Sequence, residues 1–187
     1  MGVLLENKKI LDDEIKLTKK TPLKEVLKFA YSCKCEMCSN GCKYGSGFLA
    51  DDDAGKIAKI LNIKEEVLKK EFLEEIEKFN TKRFRPKILK QNRPYGKCIF
   101  FDEELKCKIH EAKPLECKIS MACKPFGEQL SLWFMLDHFV NKDDAESLRQ
   151  YAVYLKSGGK TLKGAELEVL VPDKKKLKKI LSYEILK

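Results

Sequence analysis

Cys33, Cys35, Cys38 and Cys42 place four thiols within ten residues of one another. A chain can hold that many soft donors at one point only by bonding them to a metal ion, to an iron–sulfur cluster or to each other. Size and surroundings weigh between these. With 187 residues and 43% hydrophobic content, the chain is long enough to bury an ordinary core and does not need disulfides in place of one. Residues 1–11 carry a single short apolar stretch before Glu6 and two lysines, which is not the pattern of a secretory leader. Gly2 is followed by Glu6 where a myristoylation signal has Ser or Thr, and no apolar run reaches membrane-spanning length. These features predict a cytoplasmic protein, in which clustered cysteines more often bind metal or react than pair as disulfides. The 34 lysines, the abundant Glu and Ile and the three glutamines are hyperthermophile-like. Intracellular disulfides do occur in such organisms, so pairing of the cysteines stands as an alternative.

The flanking sequence predicts a mixed fold. Thr21-Pro22 ahead of Leu23, Val26, Leu27 and Ala30 reads as a helix capped by Thr21 that runs into the cysteine loop. Gly41, Gly45 and Gly47 interrupt regular structure, as a ligand loop requires. Asp51, Asp52 and Asp53 open a second helix, and Val67, Leu68, Phe72, Ile76 and Phe79 recur at helical spacing in a third. After Asn80 the pattern turns to strands. Residues 98–102 and 106–110 form a predicted hairpin that brings Cys98 and Cys107 opposite one another to within a residue or two. Residues 129–139 fit a strand or a buried helix, residues 143–156 a helix stopped by Gly158 and Gly159, residues 165–171 a strand, and Leu177, Ile180, Leu181 and Ile185 a terminal amphipathic helix. The predicted class is α+β: a small irregular metal-binding domain with several helices and a β-hairpin or small antiparallel sheet. Residues 1–187 read as one domain, with a cysteine core at about 30–126, a helical insert at about 52–79 and a strand–helix extension over 127–187.

The net charge of +9 is local. Residues 82–97 carry seven basic side chains and no acidic one, and residues 173–187 net +4, so the rest of the chain carries −2. Three of the four arginines, Arg83, Arg85 and Arg93, lie in the first stretch, with Phe84 and Tyr95 among them. That combination fits bidentate capture of an anion, or nucleic-acid binding at 82–97 with base stacking. It equally fits positive side chains gathered round an anionic thiolate centre.

The cysteine spacing itself is selective. Cys35-x2-Cys38 is one zinc-type knuckle, but Cys98, Cys107, Cys117 and Cys123 supply no second one. A short run of cysteines joined by distant ones is the looser arrangement that clusters accept. The order C-x2-C-x3-C is the reverse of the radical-SAM motif. Only two histidines, His110 and His138, are present, Gly45-Ser46-Gly47 is too short for a phosphate loop, and no hydrolase constellation stands out. His110 lies three residues after Cys107 and reads as packing before ligand; His138 reads as a core or surface residue.

Cys35-x2-Cys38-x2-Gly41-Cys42, followed by Gly96-Lys97-Cys98-Ile99-Phe100-Phe101-Asp102, Cys107-Lys108-Ile109-His110 and Lys113-Pro114-x2-Cys117, resembles the YkgJ-type cysteine-cluster family, described as zinc- or iron-chelating. The resemblance covers about residues 30–126. It implies that Cys35, Cys38, Cys42, Cys98, Cys107 and Cys117 are ligands. Where that family has its third cysteine this chain has Gly41, and Cys33 is additional, so Cys33 is the replacement to test first. With Cys123 the set reaches eight, enough for two four-coordinate sites or for a cluster and a mononuclear ion. The function expected is metal binding through an iron–sulfur centre, 4Fe–4S in type, for redox or for metal or sulfur handling. The alternatives are a zinc-stabilised module whose basic segment holds a polyanion, and a protein-modifying enzyme, since the resemblance extends to flagellin lysine methylases. The chain shows no nucleotide-binding fingerprint for the last.

Overall fold

The computed structural model describes residues 16–30, 33–90 and 92–182. The readings made at residues 1–11, at Gly2 and at Ile185 lie outside them. Among the described residues the fold is α+β, with nine α-helices and three two-stranded antiparallel sheets. The helices are α1 (Leu23–Leu27), α2 (Glu36–Asn40), α3 (Asp53–Leu61), α4 (Glu65–Val67), α5 (Leu115–Ile119), α6 (Gly127–His138), α7 (Ala145–Lys156), α8 (Leu167–Leu170) and α9 (Lys174–Leu181). A 3-10 turn, Gly41–Lys43, continues α2; a π turn, Leu68–Phe72, continues α4; and a further 3-10 turn spans His110–Ala112. The strands pair in chain order: β1 (Leu73–Lys78) with β2 (Thr81–Pro86), β3 (Ile88–Leu89) with β4 (Lys97–Cys98), and β5 (Phe101–Asp102) with β6 (Lys106–Cys107).

Three local predictions give way to stronger physics. The helix expected through residue 79 stops at Phe72, and residues 73–78 are β1. Across β1 and β2, Glu74 faces Arg85 and Glu77 faces Lys82, so an acidic strand meets a basic one. The turn between them is Phe79-Asn80, both with positive φ, as a two-residue hairpin of the primed type requires. Phe79 is held in place by edge contacts with Tyr151 and Tyr154, which offset the strain of its backbone. The insert is therefore a helix followed by a hairpin. The strand expected over 165–171 is instead the short helix α8: among the described residues no strand pairs with it, and Leu167 and Leu170 pack beside Tyr151. Finally, Cys98 pairs with Ile88 and Cys107 with Phe101, so the two cysteines do not face each other across one hairpin. The Asp102 carboxylate accepts from the backbone of Glu104 and Leu105 and closes the turn early, which fixes that register.

Elsewhere the elements agree with the sequence reading, except at the cap of α1. Pro22, not Thr21, caps α1, and the Thr21 hydroxyl accepts from the Thr18 backbone just before it. The ambiguous stretch is the helix α6, buried through Leu130, Trp133, Phe134 and Leu136. Asp144 caps α7, and Asp173 caps α9.

Two hydrophobic clusters flank the cysteines. One gathers Ile57, Leu68, Cys98, Phe100, Phe101 and Ile109; the other gathers Val26, Phe48, Leu115, Ile119, Trp133 and Phe134. Asp53 joins the walls. Its side chain is buried, and one carboxylate oxygen accepts from Ala50 N at 2.8 Å and from Leu115 N at 2.7 Å. That pins the start of α3 to the start of α5, and α5 carries Cys117. Asp53→Ala strands two buried N–H groups and should lower unfolding free energy by roughly 2–5 kcal/mol. Asp53→Asn keeps an acceptor and should cost about 1 kcal/mol. Urea denaturation of the two variants beside wild type reads the difference.

Candidate metal centre

Residues 33–43 form a ligand arm because each of their cysteines has a backbone role. Cys35 is the N-cap of α2, and its sulfur accepts from Cys38 N at 3.5 Å, the N–H···S contact that C-x2-C spacing makes natural. One helical turn on from Cys38, Cys42 projects from the same side of the α2 and 3-10 segment. The carbonyl of Cys33 accepts from Lys113 Nζ at 3.0 Å and lies 3.1 Å from His110 Nε2. These contacts clamp the start of the arm to the loop before α5. Beyond α5, turns closed by Lys124 N to Met121 O and Gly127 N to Lys124 O bring Cys123 back against the arm. The Cys123 sulfur lies 3.2 Å from that of Cys38 and 3.6 Å from that of Cys33. The four sulfurs of Cys33, Cys35, Cys38 and Cys123 all lie within 4.8 Å of one another.

None of the eight cysteines is in a disulfide. The Cys38 and Cys123 sulfurs, at 3.2 Å, stand well beyond an S–S bond of about 2.05 Å. Electrostatics divide the compact four. The Cys38 N–H, aided by a hydrogen bond from Cys33, lowers the exposed Cys35 thiol to about 7. Burial raises Cys38, and the sulfur–sulfur hydrogen bond with Cys38 leads in pushing Cys123 up to about 12. Four such sulfurs cannot all ionise side by side without a cation among them. A bound divalent ion reverses that logic and deprotonates its thiols.

The other four cysteines stand behind this group. Cys42, Cys98, Cys107 and Cys117, together with Cys33 and Cys38, line one cavity of about 460 Å³. Burial leads in raising all four thiols, with Cys98 at about 12 and Cys117 well above the usual range. Gly47 N donates to the Cys117 sulfur at 3.2 Å. A Cβ on Gly47 would stand 2.7 Å from that sulfur and 2.8 Å from Cys117 N, so only glycine lets the backbone come this close. The neighbouring Glu116, half-buried and raised by desolvation, accepts from Phe48 N at 2.7 Å and ties the same two segments together.

The basic segment is spread rather than convergent. Arg83 is bound to Asp51 and to the His138 carbonyl, and Arg85 is bound to Glu74. Arg93 lies over Tyr95, which pairs with Tyr44, and both rings are exposed. His138 packs on Phe134 and contacts the Asp137 carboxylate. The contributors that motif reading passed over are Lys113, Gly47 and Asp53. Gly47 and Lys113 do stand out in the sequence, as a loop breaker and as half of a Lys-Pro pair. Their contacts with sulfur and with the Cys33 carbonyl depend on tertiary approach.

A closed group of four thiols on a small α+β scaffold defines a metal–thiolate protein. Residues 34–151 match the CxxCxxCC family, described as a putative zinc- or iron-chelating domain, and the chain belongs to that family. The match runs past residue 126 to include α6 and most of α7, and it begins one residue after Cys33. No curated protein and no solved structure matches the chain.

In metal-stripped, reduced protein, Cys35 should be alkylated first by iodoacetamide, with a rate that falls as pH drops through about 7. Peptide mapping after short pulses checks this. Uniform labelling of the eight cysteines would contradict it.

Proposed function

We propose that Cys33, Cys35, Cys38 and Cys123 hold one tetrahedral metal ion, zinc before iron, and that this ion locks the ligand arm against the turn after α5. The closeness of the four sulfurs carries this reading. With metal–sulfur bonds of about 2.3 Å, a regular tetrahedron sets its sulfurs about 3.8 Å apart. The observed contacts of 3.2 and 3.6 Å, and the limit of 4.8 Å, bracket that value. In an iron–sulfur cluster the thiolates are shared out among several irons and stand farther apart. For this quartet the geometry therefore favours an ion over a cluster. All four positions are filled by protein, which is the arrangement of a structural site and leaves no opening for substrate. The bond joins residues 33–38 to residue 123, so metal binding adds directly to folding stability.

Cobalt is the probe. Chelator-stripped protein titrated anaerobically with Co²⁺ should give the thiolate-to-metal charge transfer and visible bands of tetrahedral cobalt, and Zn²⁺ should displace them. The spectrum should vanish in Cys35→Ser/Cys123→Ser and persist in Cys98→Ser/Cys117→Ser. Its persistence in the first variant would refute the assignment. Acid should weaken binding, because protons compete for the thiolates. Cys35 becomes a thiol below about pH 7, so the fall in affinity should steepen there by about one proton.

A second reading, polyanion binding, is supported by the exposed pair Tyr44 and Tyr95 with Arg93 over the latter. Arg83 and Arg85 already hold internal partners. If single-stranded RNA binds here, Arg93→Ala/Tyr95→Ala should weaken it roughly tenfold or more and flatten its salt dependence. Filter binding over a salt series measures both.

A further inference from the structure

We infer that Cys38 and Cys123 are an oxidative cross-linking site: a hydroperoxide joins their sulfurs in a disulfide that takes over the connection between arm and turn and releases the metal. The release of metal rests on the compact-quartet reading; the bridge does not. The two sulfurs come from residues 85 apart in sequence and stand 3.2 Å from one another. The Cys33 sulfur is farther, 3.6 Å from that of Cys123. A disulfide holds its sulfurs about 2.05 Å apart, so the nearer pair has about 1 Å to close. Cys123 lies in the turns between α5 and α6, outside any helix or strand, where a movement of that size breaks no regular hydrogen-bond ladder.

The site is within reach of a small oxidant, because Cys35 is exposed and Cys33, Cys38 and Cys123 are half-buried. The rival bridge is Cys35–Cys38, inside the knuckle. The Cys35 sulfur, however, accepts from the Cys38 backbone N–H as the N-cap of α2, and pairing would draw it off that cap. The Cys38 sulfur instead donates to that of Cys123. Geometry thus favours the long-range pair over the local one.

The chemistry balances. One thiol takes an oxygen from the hydroperoxide, giving a sulfenic acid and an alcohol, or water where the oxidant is hydrogen peroxide. The second sulfur displaces water to form the S–S bond, so two electrons pass from the sulfurs to the O–O bond. In zinc-loaded protein the same two sulfurs leave the ion and solvent supplies two protons. Zn²⁺ keeps its charge and dissociates, because only two of its four protein donors remain. A dithiol reductant returns two electrons and two protons and reopens the pair. Metal and disulfide tie the same two segments, so oxidation removes the ion without freeing the arm.

The test uses the full chain, reduced and metal-free in one arm and zinc-loaded in the other. One equivalent of hydrogen peroxide is added, free thiols are blocked, and peptides are mapped without reduction. Wild type should give a Cys38–Cys123 bridge, with titratable thiols falling by two from eight. Cys35→Ser should keep the bridge, and Cys38→Ser should move it to Cys33–Cys123. Oxidised metal-free protein should unfold at higher urea than the reduced form, because the bridge closes a long loop. From zinc-loaded protein a chromogenic chelator should register one zinc for each bridge formed, and dithiothreitol should restore cobalt binding. Any other wild-type outcome overturns the inference, whether a bridge within residues 33–38, a bridge to a cavity cysteine, sulfinic acid or no product. So does zinc that stays bound once the bridge has formed. A Cys38–Cys123 bridge in protein that binds neither zinc nor cobalt would sink the compact-quartet reading and leave the cross-link standing.

Discussion

Four sulfurs drawn from residues 33–38 and from residue 123 stand within 4.8 Å of one another, and the surrounding structure is organised around keeping them there. Without a cation this crowding is costly, because each thiolate formed makes the next harder to form. The protein answers with rigidity. Lys113 and His110 fix the Cys33 carbonyl, the turns after α5 fix Cys123, and the α2 N-terminus orders Cys35 and Cys38. The sulfurs are thereby brought together by contacts that do not themselves require metal. A site organised in this way saves the entering ion most of the ordering entropy that it would otherwise have to offset.

The short segment from Cys35 to Cys42 serves both sets of cysteines. Cys38 and Cys42 are one helical turn apart and both line the cavity, but only Cys38 also belongs to the compact group. Lys113 spans the same divide: its ammonium donates to the Cys33 carbonyl while its charge acts on Cys42 and Cys107. A change in charge at one set must therefore be felt at the other, through a few ångströms of shared backbone and one cation.

Much of this was legible in the sequence where the chemistry is local. The cysteine arm, α3 with its aspartates, α7 with its glycine stop and α9 with its apolar face all follow from residue type and spacing. Residues 73–78 were not, because Phe72, Ile76 and Phe79 also fit a helical stripe. Only the basic strand across the Phe79-Asn80 turn makes Glu74 and Glu77 strand residues. The grouping of the cysteines was hidden for a similar reason. Nearness in sequence puts Cys42 with Cys35 and Cys38, while tertiary approach puts Cys42 with Cys98, Cys107 and Cys117, and Cys123 with the arm. Linear spacing constrains a knuckle such as Cys35-x2-Cys38; it does not constrain which distant loop completes the tetrahedron.

That freedom explains how the chain accommodates Gly41. In the family pattern this position is a cysteine, and here its backbone is ordinary right-handed helix, with open space where a Cβ would stand. Nothing steric demands the glycine. A four-donor site needs only that the fourth and third sulfurs reach the same point, whichever flank they come from. Cys33 reaches it from before the matched region because Lys113 and His110 anchor its carbonyl, and Cys123 reaches it from beyond the Lys-Pro-x2-Cys element through two tight turns. The two cysteines outside the motif thus meet in one quartet with the two of the knuckle. The motif's remaining four are left together at the cavity, a division that follows from where the chain can bring a sulfur rather than from the order in which the cysteines occur.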